Sequence, residues 1–234
     1  MASEKRAATR AANIEKIKSV ARERLARDGA TGLSLREVAR EMGQTSSALY
    51  RYFSNRDELL TALIIDAYND LGAATERADA RADRADLRSR WRSSCRAIRR
   101  WARAHPHEYA LIFGSPVPGY EAPEPTIAAA TRVTGVIASI VADQYRNVDV
   151  VVSDDPNMAR TLHFDNVAQL MPNVPRDVAL RAVFAWTQIF GYISFELFGH
   201  LVGSVRHGDT AFDLLIDQTG RTVGLPNGTV ESKE

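Results

Sequence analysis

Between residues 34 and 53 the apolar positions follow two short helical patterns separated by a glycine turn. The apolar residues of the first pattern, spaced i, i+3, i+4 and i+7, are Leu35, Val38, Ala39 and Met42, and those of the second are Ala48, Leu49 and Phe53. Gly43 can adopt the left-handed conformation that ends a helix. Two short helices with so short a link cross steeply, as in a helix-turn-helix, where the second helix presents its first residues to base edges.

The starts of these helices carry capping signals. Ser34 precedes the first apolar residue and Glu37 follows Ser34 by three positions, which is the spacing of a capping box. Thr45 stands where its hydroxyl can cap the second helix, and Ser54 precedes the next apolar pattern in the same way. These signals predict where the helices begin.

The second helix leaves hydroxyls, phenols and one guanidinium outside its apolar face. These outward residues are Thr45, Ser46, Ser47, Tyr50, Arg51 and Tyr52. Hydroxyls at a helix N-terminus bind phosphate, and a tyrosine can pack its ring on a sugar or a thymine methyl while its hydroxyl contacts phosphate. The set contains no catalytic arrangement and favours DNA binding, although solvated polar residues on a small helical bundle would give the same pattern.

The rest of the chain also has helical patterns, which predicts an all-α fold class. Helical spacing or helix-start signals cover 14–25, 59–71, 87–101, 106–113, 126–146, 156–171, part of 176–205 and 209–219. Residues 76–86 are charged and alanine-rich, and the Gly- and Pro-rich residues 114–125 predict a loop. We predict a three-helix DNA-binding domain with its linking helix at 1–75, a larger effector-binding and dimerisation domain at 76–225, and a disordered tail at 226–234.

One helix within residues 176–205 is apolar nearly all round. Such a helix must be covered by its own core on one side and commonly by a partner subunit on the other. Gly191, Gly199 and Gly203 lower the side-chain bulk and would allow close helix approach. With the helix at 209–219, this pattern predicts a homodimer joined through two helices from each subunit. The expected interface residues are Phe195, Phe198, Gly199, Val202, Phe212 and Leu215.

A ligand pocket is harder to predict, because an apolar pocket uses the same residue types as a core. The aromatic residues on helices that should enclose the middle of the second domain are Trp91, Trp101, Phe113, Trp186 and Phe190. They are the candidates for contacts with a small, largely apolar effector. Plain core packing is the competing interpretation of each.

The distribution of charge supports DNA contact at the N-terminal end. The net charge is only +1, but residues 1–60 hold 12 Lys and Arg against 8 Asp and Glu. Arginines also crowd the helix at 87–103, where acidic residues nearby favour a solvated face over a second nucleic-acid surface. The first dozen residues are polar and basic, which predicts either a flexible arm that reaches the minor groove or a frayed terminus.

The residues offer no pattern typical of a metal, a cofactor or a membrane. The five histidines lack metal-binding spacing and no glycine-rich phosphate loop is present, so we expect neither metal nor cofactor. Cys95, the single cysteine, excludes an internal disulfide and falls on an apolar helix face, where a buried thiol is expected. We expect no signal peptide and no membrane-spanning segment, which predicts a cytoplasmic protein.

The run LREVAREMGQTSSALYRYFSNRDELLTAL, within residues 10–70, resembles the N-terminal DNA-binding domain of the TetR family of bacterial transcriptional regulators. The resemblance rests on Asp28–Gly29, on LREVA, on Ala48–Phe53 and on SNRDELL at 54–60. Position 52, often histidine in the family, is tyrosine here. The later run HPHEYALIFGSPVPGYEAPEP resembles the ligand domain of one actinobacterial branch of the same family.

This resemblance implies roles for eight residues. Ser34 and Arg36 would contact the DNA backbone, while Tyr52 and Arg56 would hold phosphates. The residues that would face the groove are Thr45, Ser46, Ser47 and Tyr50. The resulting hypothesis is a sequence-specific regulator, a repressor by resemblance, that binds a pseudo-palindromic double-stranded operator as a homodimer and is released by a small effector.

Two other function classes stay open at this point. A ligand-independent or architectural DNA-binding protein would share the helix pair but show weak sequence preference and no response to small molecules. An enzyme would need a catalytic set in the helical second domain, where the spacing of the histidines offers none. The ratio of specific to non-specific DNA affinity separates a regulator from the first of these.

Overall fold

The computed structural model describes residues 1–146, 170–171 and 173–226. Within these ranges the chain forms nine α-helices and one 3-10 helix, which confirms the predicted all-α class. The elements are α1 (Ala2–Asp28), a 3-10 helix (Ala30–Gly32), α2 (Leu35–Glu41), α3 (Ser46–Tyr50), α4 (Arg56–Arg81), α5 (Leu87–Ala104), α6 (Pro106–Phe113), α7 (Pro125–Tyr145), α8 (Arg176–Leu197) and α9 (Gly208–Thr222). The predicted helix at 156–171 and tail at 226–234 lie almost wholly outside the described residues.

The helices form two compact units, and the first is built around the predicted helix pair. It consists of Met1–Asp70 and His105–Ala130. Its core side chains come from α1, α2, α3 and the first half of α4, among them Ile17, Ala21, Val38, Leu49 and Leu63. Helices as short as α2 and α3 do not persist alone in water, so burial against α1 and α4 holds them in place.

The segment after α5 belongs to this first unit and not to the second. The side chains of this segment that pack against the N-terminal core are Leu111, Ile112, Val117 and Tyr120. The Tyr120 hydroxyl lies 2.9 Å from Thr61 Oγ1, and the ring of Phe113 meets the ring of Tyr68 edge-on. The chain therefore departs from the predicted two-part division, because residues 105–130 supply apolar cover for the N-terminal helices.

Helix α1 begins at Ala2, so the first dozen residues are helical and do not form the flexible arm considered from the sequence. Five of these twelve residues are alanine, the strongest helix former. Every side chain from Ser3 to Ala12 is exposed, and the first buried one is Ile17. At about 1.5 Å per residue, the exposed part of α1 is roughly 15 Å long.

The turn between α2 and α3 has the predicted conformation, but the predicted capping hydrogen bonds are not formed. Gly43 has a φ of +64°, the left-handed conformation expected there. Neither Ser34 nor Thr45 makes a side-chain cap hydrogen bond. The predicted capping box is wrong, because the Glu37 carboxylate accepts hydrogen bonds from the Arg40 guanidinium and does not reach back to Ser34.

Helix α4 is capped by Asn55 and not by Ser54. Asn55 Oδ1 accepts the backbone N–H of Glu58 at 2.8 Å. The Glu58 carboxylate in turn accepts hydrogen bonds from the backbone N–H and the hydroxyl of Ser54, which hold the pKa of this carboxyl below its ordinary value. This reciprocal arrangement fixes the point at which the chain enters α4.

The second unit consists of Leu71–Ala104 and the described residues from Thr131 onward. Helix α5 contacts both α8 and α9. Trp91 Nε1 donates a hydrogen bond to the Ile216 carbonyl oxygen at 3.1 Å. Cys95 lies on the same buried side of α5, where burial raises the pKa of its thiol. The buried face of α5 is therefore a core surface.

The arginines of α5 form ion pairs within the second unit. Arg99 Nε lies 2.7 Å from Glu196 Oε2, and its Nη1 lies 2.7 Å from Asp209 Oδ1. Arg96 forms a two-point pair with Asp213 at 2.9 and 2.7 Å. These arginines therefore link α5 to α8 and α9, and since Arg99 is buried the predicted solvated face is wrong at this position.

A fully buried arginine joins three helices of the second unit. Arg90 of α5 donates from Nε to Asp79 Oδ1 of α4 at 2.7 Å and from Nη1 to Asp143 Oδ2 of α7 at 2.6 Å. Burial by itself would raise the pKa of Asp79, but hydrogen bonds from Arg90 and Arg84 outweigh it, so the pKa lies below its ordinary value. This stabilisation is present at neutral pH and is lost as the pH falls below about 4.

Helix α8 ends earlier than its apolar composition suggests. The last helical residue is Leu197, and Gly199 has a φ of +81°. Gly203 adopts a similar left-handed conformation, with a φ of +82°. These two glycines end the helix and shape the turns after it, which is a different role from the close helix approach predicted for them.

Helices α7 and α8 are long and apolar enough to cross a membrane by length and composition, contrary to the sequence expectation. Both also contribute buried side chains to the second unit, such as Ile140 from α7 and Ile193 from α8. Core helices of globular proteins pass the same test, and packing inside the second unit accounts for the 44% of the α7 window and the 39% of the α8 window that are buried.

Arg90→Ala should lower the free energy of unfolding by up to about 3–5 kcal/mol, because it removes the fully buried cation and leaves the largely buried Asp79 and Asp143 with only the more exposed Arg84 and Arg146. The control is Arg96→Ala, whose more exposed pair with Asp213 contributes at most about 1 kcal/mol. Urea unfolding at pH 7, followed by circular dichroism, measures both. Equal losses in the two variants would contradict a special role for the buried cluster.

Candidate DNA interface and effector cavity

Helix α3 turns its apolar side to the core of the first unit and its polar side to solvent. Leu49 is fully buried, as is nearly all of Phe53 just beyond the helix end. The Tyr50 side chain is 46% exposed. Ser47 is exposed, and its hydroxyl lies 3.0 Å from the Thr45 hydroxyl. A surface of hydroxyls and a phenol, without an acidic side chain, can contact both phosphates and base edges.

The start of α2 lies on the same unit and supplies a cation. Arg36 is exposed, and Ser34 is half-buried directly before the helix. Arg40 on the same helix is paired with Glu37, whereas Arg36 has no ion pair within the part of the chain that the structure describes. The Arg36 guanidinium is therefore open to an anion from outside the protein.

Tyr52 follows α3 and is held by α1. Asn13 Nδ2 donates a hydrogen bond to the Tyr52 hydroxyl oxygen at 2.8 Å. The Arg10 guanidinium lies over the Tyr52 ring, 5.3 Å from its centroid, and donates to the carbonyl oxygen of Arg51 at 3.1 Å. Because Asn13 is the donor, the Tyr52 hydroxyl keeps its own hydrogen for another acceptor.

Arg56 is engaged inside the first unit, unlike the phosphate contact that the resemblance implied. Its Nε donates to the Leu33 carbonyl oxygen at 3.1 Å, and its Nη2 donates to the Ala30 carbonyl oxygen at 2.9 Å. Its Nη1 also contacts Asp57. The side chain therefore supports the chain leading into α2 and is not among the DNA contacts proposed below.

Sequence reasoning missed several side chains beside α3. An open groove of about 540 Å³ is lined by Lys5, Arg6, Thr9, Arg10, Asn13, Arg51 and Tyr52. The excess of basic residues near the N-terminus was visible in the sequence. Its placement was not, because it depends on α1 being helical from Ala2.

Family comparisons match both parts of the chain. Residues 17–63 match the family described as "Bacterial regulatory proteins, tetR family". Residues 91–219 match "Tetracyclin repressor-like, C-terminal domain", which by itself spans more than half of the chain. The chain belongs to the TetR family of bacterial transcriptional regulators.

Individual relatives extend over most of this TetR-family chain. It is 40% identical over 194 residues to the HTH-type transcriptional regulators Rv1816 of Mycobacterium tuberculosis and Mb1846 of Mycobacterium bovis, which covers 79% of this chain and 80% of each relative. The solved structure of regulatory protein SCO4313 is similar, with a TM-score of 0.75 and 33% identity over 90% of this chain and 96% of that one. A Rhodococcus sp. RHA1 protein of unknown function has a TM-score of 0.63 and 25% identity over 90% of this chain and 92% of that one.

Membership in the TetR family establishes the general activity. The protein is a DNA-binding transcriptional regulator with a helix-turn-helix, and the family is non-enzymatic. The N-terminal match contains α2 and α3, so the polar surface of α3 lies in the DNA-binding part. Among the described residues, no group of three or more His, Cys, Asp or Glu can hold a metal ion.

The second unit contains an apolar cavity of about 190 Å³ between α7 and α8. Its lining residues are Thr134, Ile137, Ala138, Leu170, Met171, Ala182, Val183 and Trp186. Within the described ranges, the Trp186 indole N–H is buried and has no hydrogen-bond partner. The lining is therefore apolar except for Thr134 and the indole N–H of Trp186.

Four of the five aromatic residues predicted to line a pocket lie outside this cavity lining. Trp91 and Trp101 are buried in the second unit. Phe190 is also buried, and its ring centroid lies 5.8 Å from that of Trp186. Phe113 belongs to the first unit. Of the five, Trp186 is the one that lines this cavity; Trp91, Trp101 and Phe190 are buried, and Phe113 is half-buried.

An exposed apolar surface, here called the α8 stripe, follows α8 and the turns after it. Its members are Phe184, Phe195, Phe198 and Val202, together with Leu214 on α9. Gly199 is exposed beside them and Leu215 is half-buried. Phe212 is fully buried, with its ring 5.4 Å from that of Tyr192. The prediction that Phe212 faces a partner is wrong, because the side chain fills the core of its own subunit.

Arg56→Ala should lower the free energy of unfolding by about 1.5–3 kcal/mol, because it removes charged hydrogen bonds to two carbonyl oxygens. Arg36→Ala is the control and should change stability by less than about 0.5 kcal/mol while weakening DNA binding. Urea unfolding and titration of a labelled duplex provide the two readouts. If Arg56→Ala keeps the stability of the wild type but loses DNA binding, Arg56 contacts a DNA phosphate after all.

Proposed function

We propose that the protein is a repressor that binds a pseudo-palindromic operator as a homodimer in the cytoplasm and releases it when a small, largely apolar effector binds. The main support for DNA binding by α3 is its exposed polar surface, which includes Tyr50. Repression is favoured over activation by the match to a tetracyclin repressor-like C-terminal domain.

The proposed division of DNA contacts follows the positions of the side chains. The base-facing residues are Thr45, Ser46, Ser47 and Tyr50. The phosphate contacts are Ser34 and Arg36 from the start of α2, and Tyr52, whose hydroxyl hydrogen is available for a phosphate oxygen. Base contacts would set the sequence preference, while phosphate contacts would set the orientation of the helix on the duplex.

The α8 stripe supports the homodimer. Phe195 is 55% exposed and Val202 is 86% exposed, and Leu214 on α9 is 65% exposed. Contiguous apolar side chains at a surface mark interaction sites, and a two-fold axis would bury the same stripe from both subunits. The two copies of α3 would then meet half-sites related by the same symmetry, which is the basis for expecting a pseudo-palindromic operator.

The cavity between α7 and α8 supports the effector. Its apolar lining would hold an apolar body, and the Trp186 indole N–H would donate to one acceptor on the ligand. Release of DNA requires that the effector favour one conformation of the protein over another. Helix α4 contributes residues to both units, so we propose that it transmits the change.

The deciding experiment is DNase footprinting of the purified protein on genomic fragments, beginning with the DNA beside its own gene, at physiological salt with competitor DNA. A compact protected pseudo-palindrome is the expected result. Tyr50→Ala should lose this protection because the base-facing ring is removed, while Tyr50→Phe should retain part of it. Both variants should keep the circular dichroism spectrum and the oligomeric state of the wild type.

Two outcomes would contradict the proposal. Salt-sensitive coverage without a preferred site would favour an architectural DNA-binding protein. Normal protection by Tyr50→Ala would exclude α3 as the helix that contacts the bases.

Phe198→Glu should convert the dimer to monomers or aggregates, because it places a charge in the centre of the α8 stripe. Ile127→Glu is the control, since Ile127 is an equally exposed apolar residue outside the stripe. Light scattering coupled to size-exclusion chromatography measures the mass of each variant. A stable dimer of Phe198→Glu would place the interface elsewhere.

A further inference from the structure

The groove beside α3 is a basic surface of the first unit. It is formed by the exposed first turns of α1 and by Arg51 and Tyr52, which directly follow α3. Its cationic side chains are Lys5, Arg6, Arg10 and Arg51. With about 540 Å³ of open space, the groove is accessible to a large partner and not only to a small ion.

Among the residues that the structure describes, these cations form no ion pair with an acidic side chain. Glu4, next to them, pairs with the chain amine. Arg10 has a favourable charge interaction with Glu58, whose carboxylate also accepts hydrogen bonds from Ser54. The groove therefore keeps a net positive charge, carried chiefly by Lys5, Arg6 and Arg51, in contrast to the ion-paired arginines of α5.

Burial in the core does not explain the exposed part of α1. From Ser3 to Ala12 no side chain is buried, so these residues contribute nothing to the core of the first unit. Instead they carry Lys5, Arg6 and Arg10 to the side of α3. Arg10 is also anchored there, over the Tyr52 ring and against the Arg51 carbonyl oxygen.

We propose that this groove binds the phosphates of the DNA strand that passes beside the bases contacted by α3. The proposal rests on the proposed function only in taking α3 as the helix that faces the bases. Lys5, Arg6 and Arg51 supply charge to the phosphates, and the Tyr52 hydroxyl supplies a hydrogen bond. The helical start of α1 thereby lies along the DNA backbone and does not enter the minor groove as an extended arm.

Phosphate contacts carry no sequence information, so the groove should raise the affinity for every duplex by the same factor. Each phosphate contact also releases counterions. The logarithm of the binding constant therefore falls with the logarithm of the salt concentration, with a slope of about 0.9 for each contact. The contribution of the groove can therefore be separated from that of α3. Loss of a groove contact lowers the affinity for every duplex and reduces the salt slope, whereas loss of an α3 contact lowers the ratio of specific to non-specific affinity.

The test compares Lys5→Gln with Lys16→Gln. Both variants replace an exposed lysine of α1 by glutamine, but Lys16 lies outside the groove. Fluorescence anisotropy would measure binding to the footprinted duplex and to a scrambled 30-base-pair duplex across a series of salt concentrations. Because a dimer loses two such contacts, Lys5→Gln should weaken binding to both duplexes by roughly ten- to hundredfold and reduce the salt slope by about 1.8, with an unchanged ratio between the duplexes.

Lys16→Gln should leave the affinities and the slope close to those of the wild type. Equal behaviour of the two variants, or a change in Lys5→Gln on one duplex alone, would overturn the proposal. If footprinting finds no preferred site, the proposed regulatory function fails, yet the loss on the scrambled duplex still tests the groove. Circular dichroism of both variants checks that α1 keeps its helical content.

Discussion

The DNA-binding surface depends on the burial of two helices that are too short to exist alone. Helix α3 has five residues and α2 has seven, and helices of this length are unstable in isolation. Leu49 and Val38 are fully buried, so the core holds both helices against α1 and α4. Arg56 adds hydrogen bonds to the carbonyls before α2. The polar face of α3 is therefore oriented by contacts on its opposite side.

The cations of the protein fall into two groups with different consequences. Arg90, Arg96 and Arg99 of α5 each contact carboxylates, so their charge is neutralised by ion pairs that stabilise the second unit. Lys5 and Arg6 of α1 have no such contacts among the described residues and remain available to an external anion. A nearly neutral chain can thus bind a polyanion, because the position of its charges matters more than their sum.

The sequence predicted those parts of the structure that depend on local spacing. The periodic apolar residues of α2 and α3 and the turn at Gly43 were predicted correctly, because each depends on neighbours a few residues away. Features that depend on distant partners were not. Phe198 and Phe212 look alike in the sequence, yet one is exposed and the other fills the core. The role of Arg56 likewise depended on carbonyl groups more than twenty residues away.

The cavity and the division into two units also depend on residues that are distant in the sequence, so the sequence did not predict them. Trp91 and Trp186 are both tryptophans of helices in the second unit, and only the tertiary packing decides that Trp186 lines a cavity. Residues 105–130 join the first unit across an intervening helix, which no local pattern can indicate.

This discontinuity also sets an order of events during synthesis. The N-terminal helices leave the ribosome before Tyr120, which packs against their core. At about 5–20 residues per second, the roughly 60 residues between Asp70 and Ala130 take some 3–12 seconds to add. During that interval the nascent DNA-binding unit carries an uncovered apolar patch around Tyr68. The protein therefore acquires a complete DNA-binding unit only after more than half of the chain has been made.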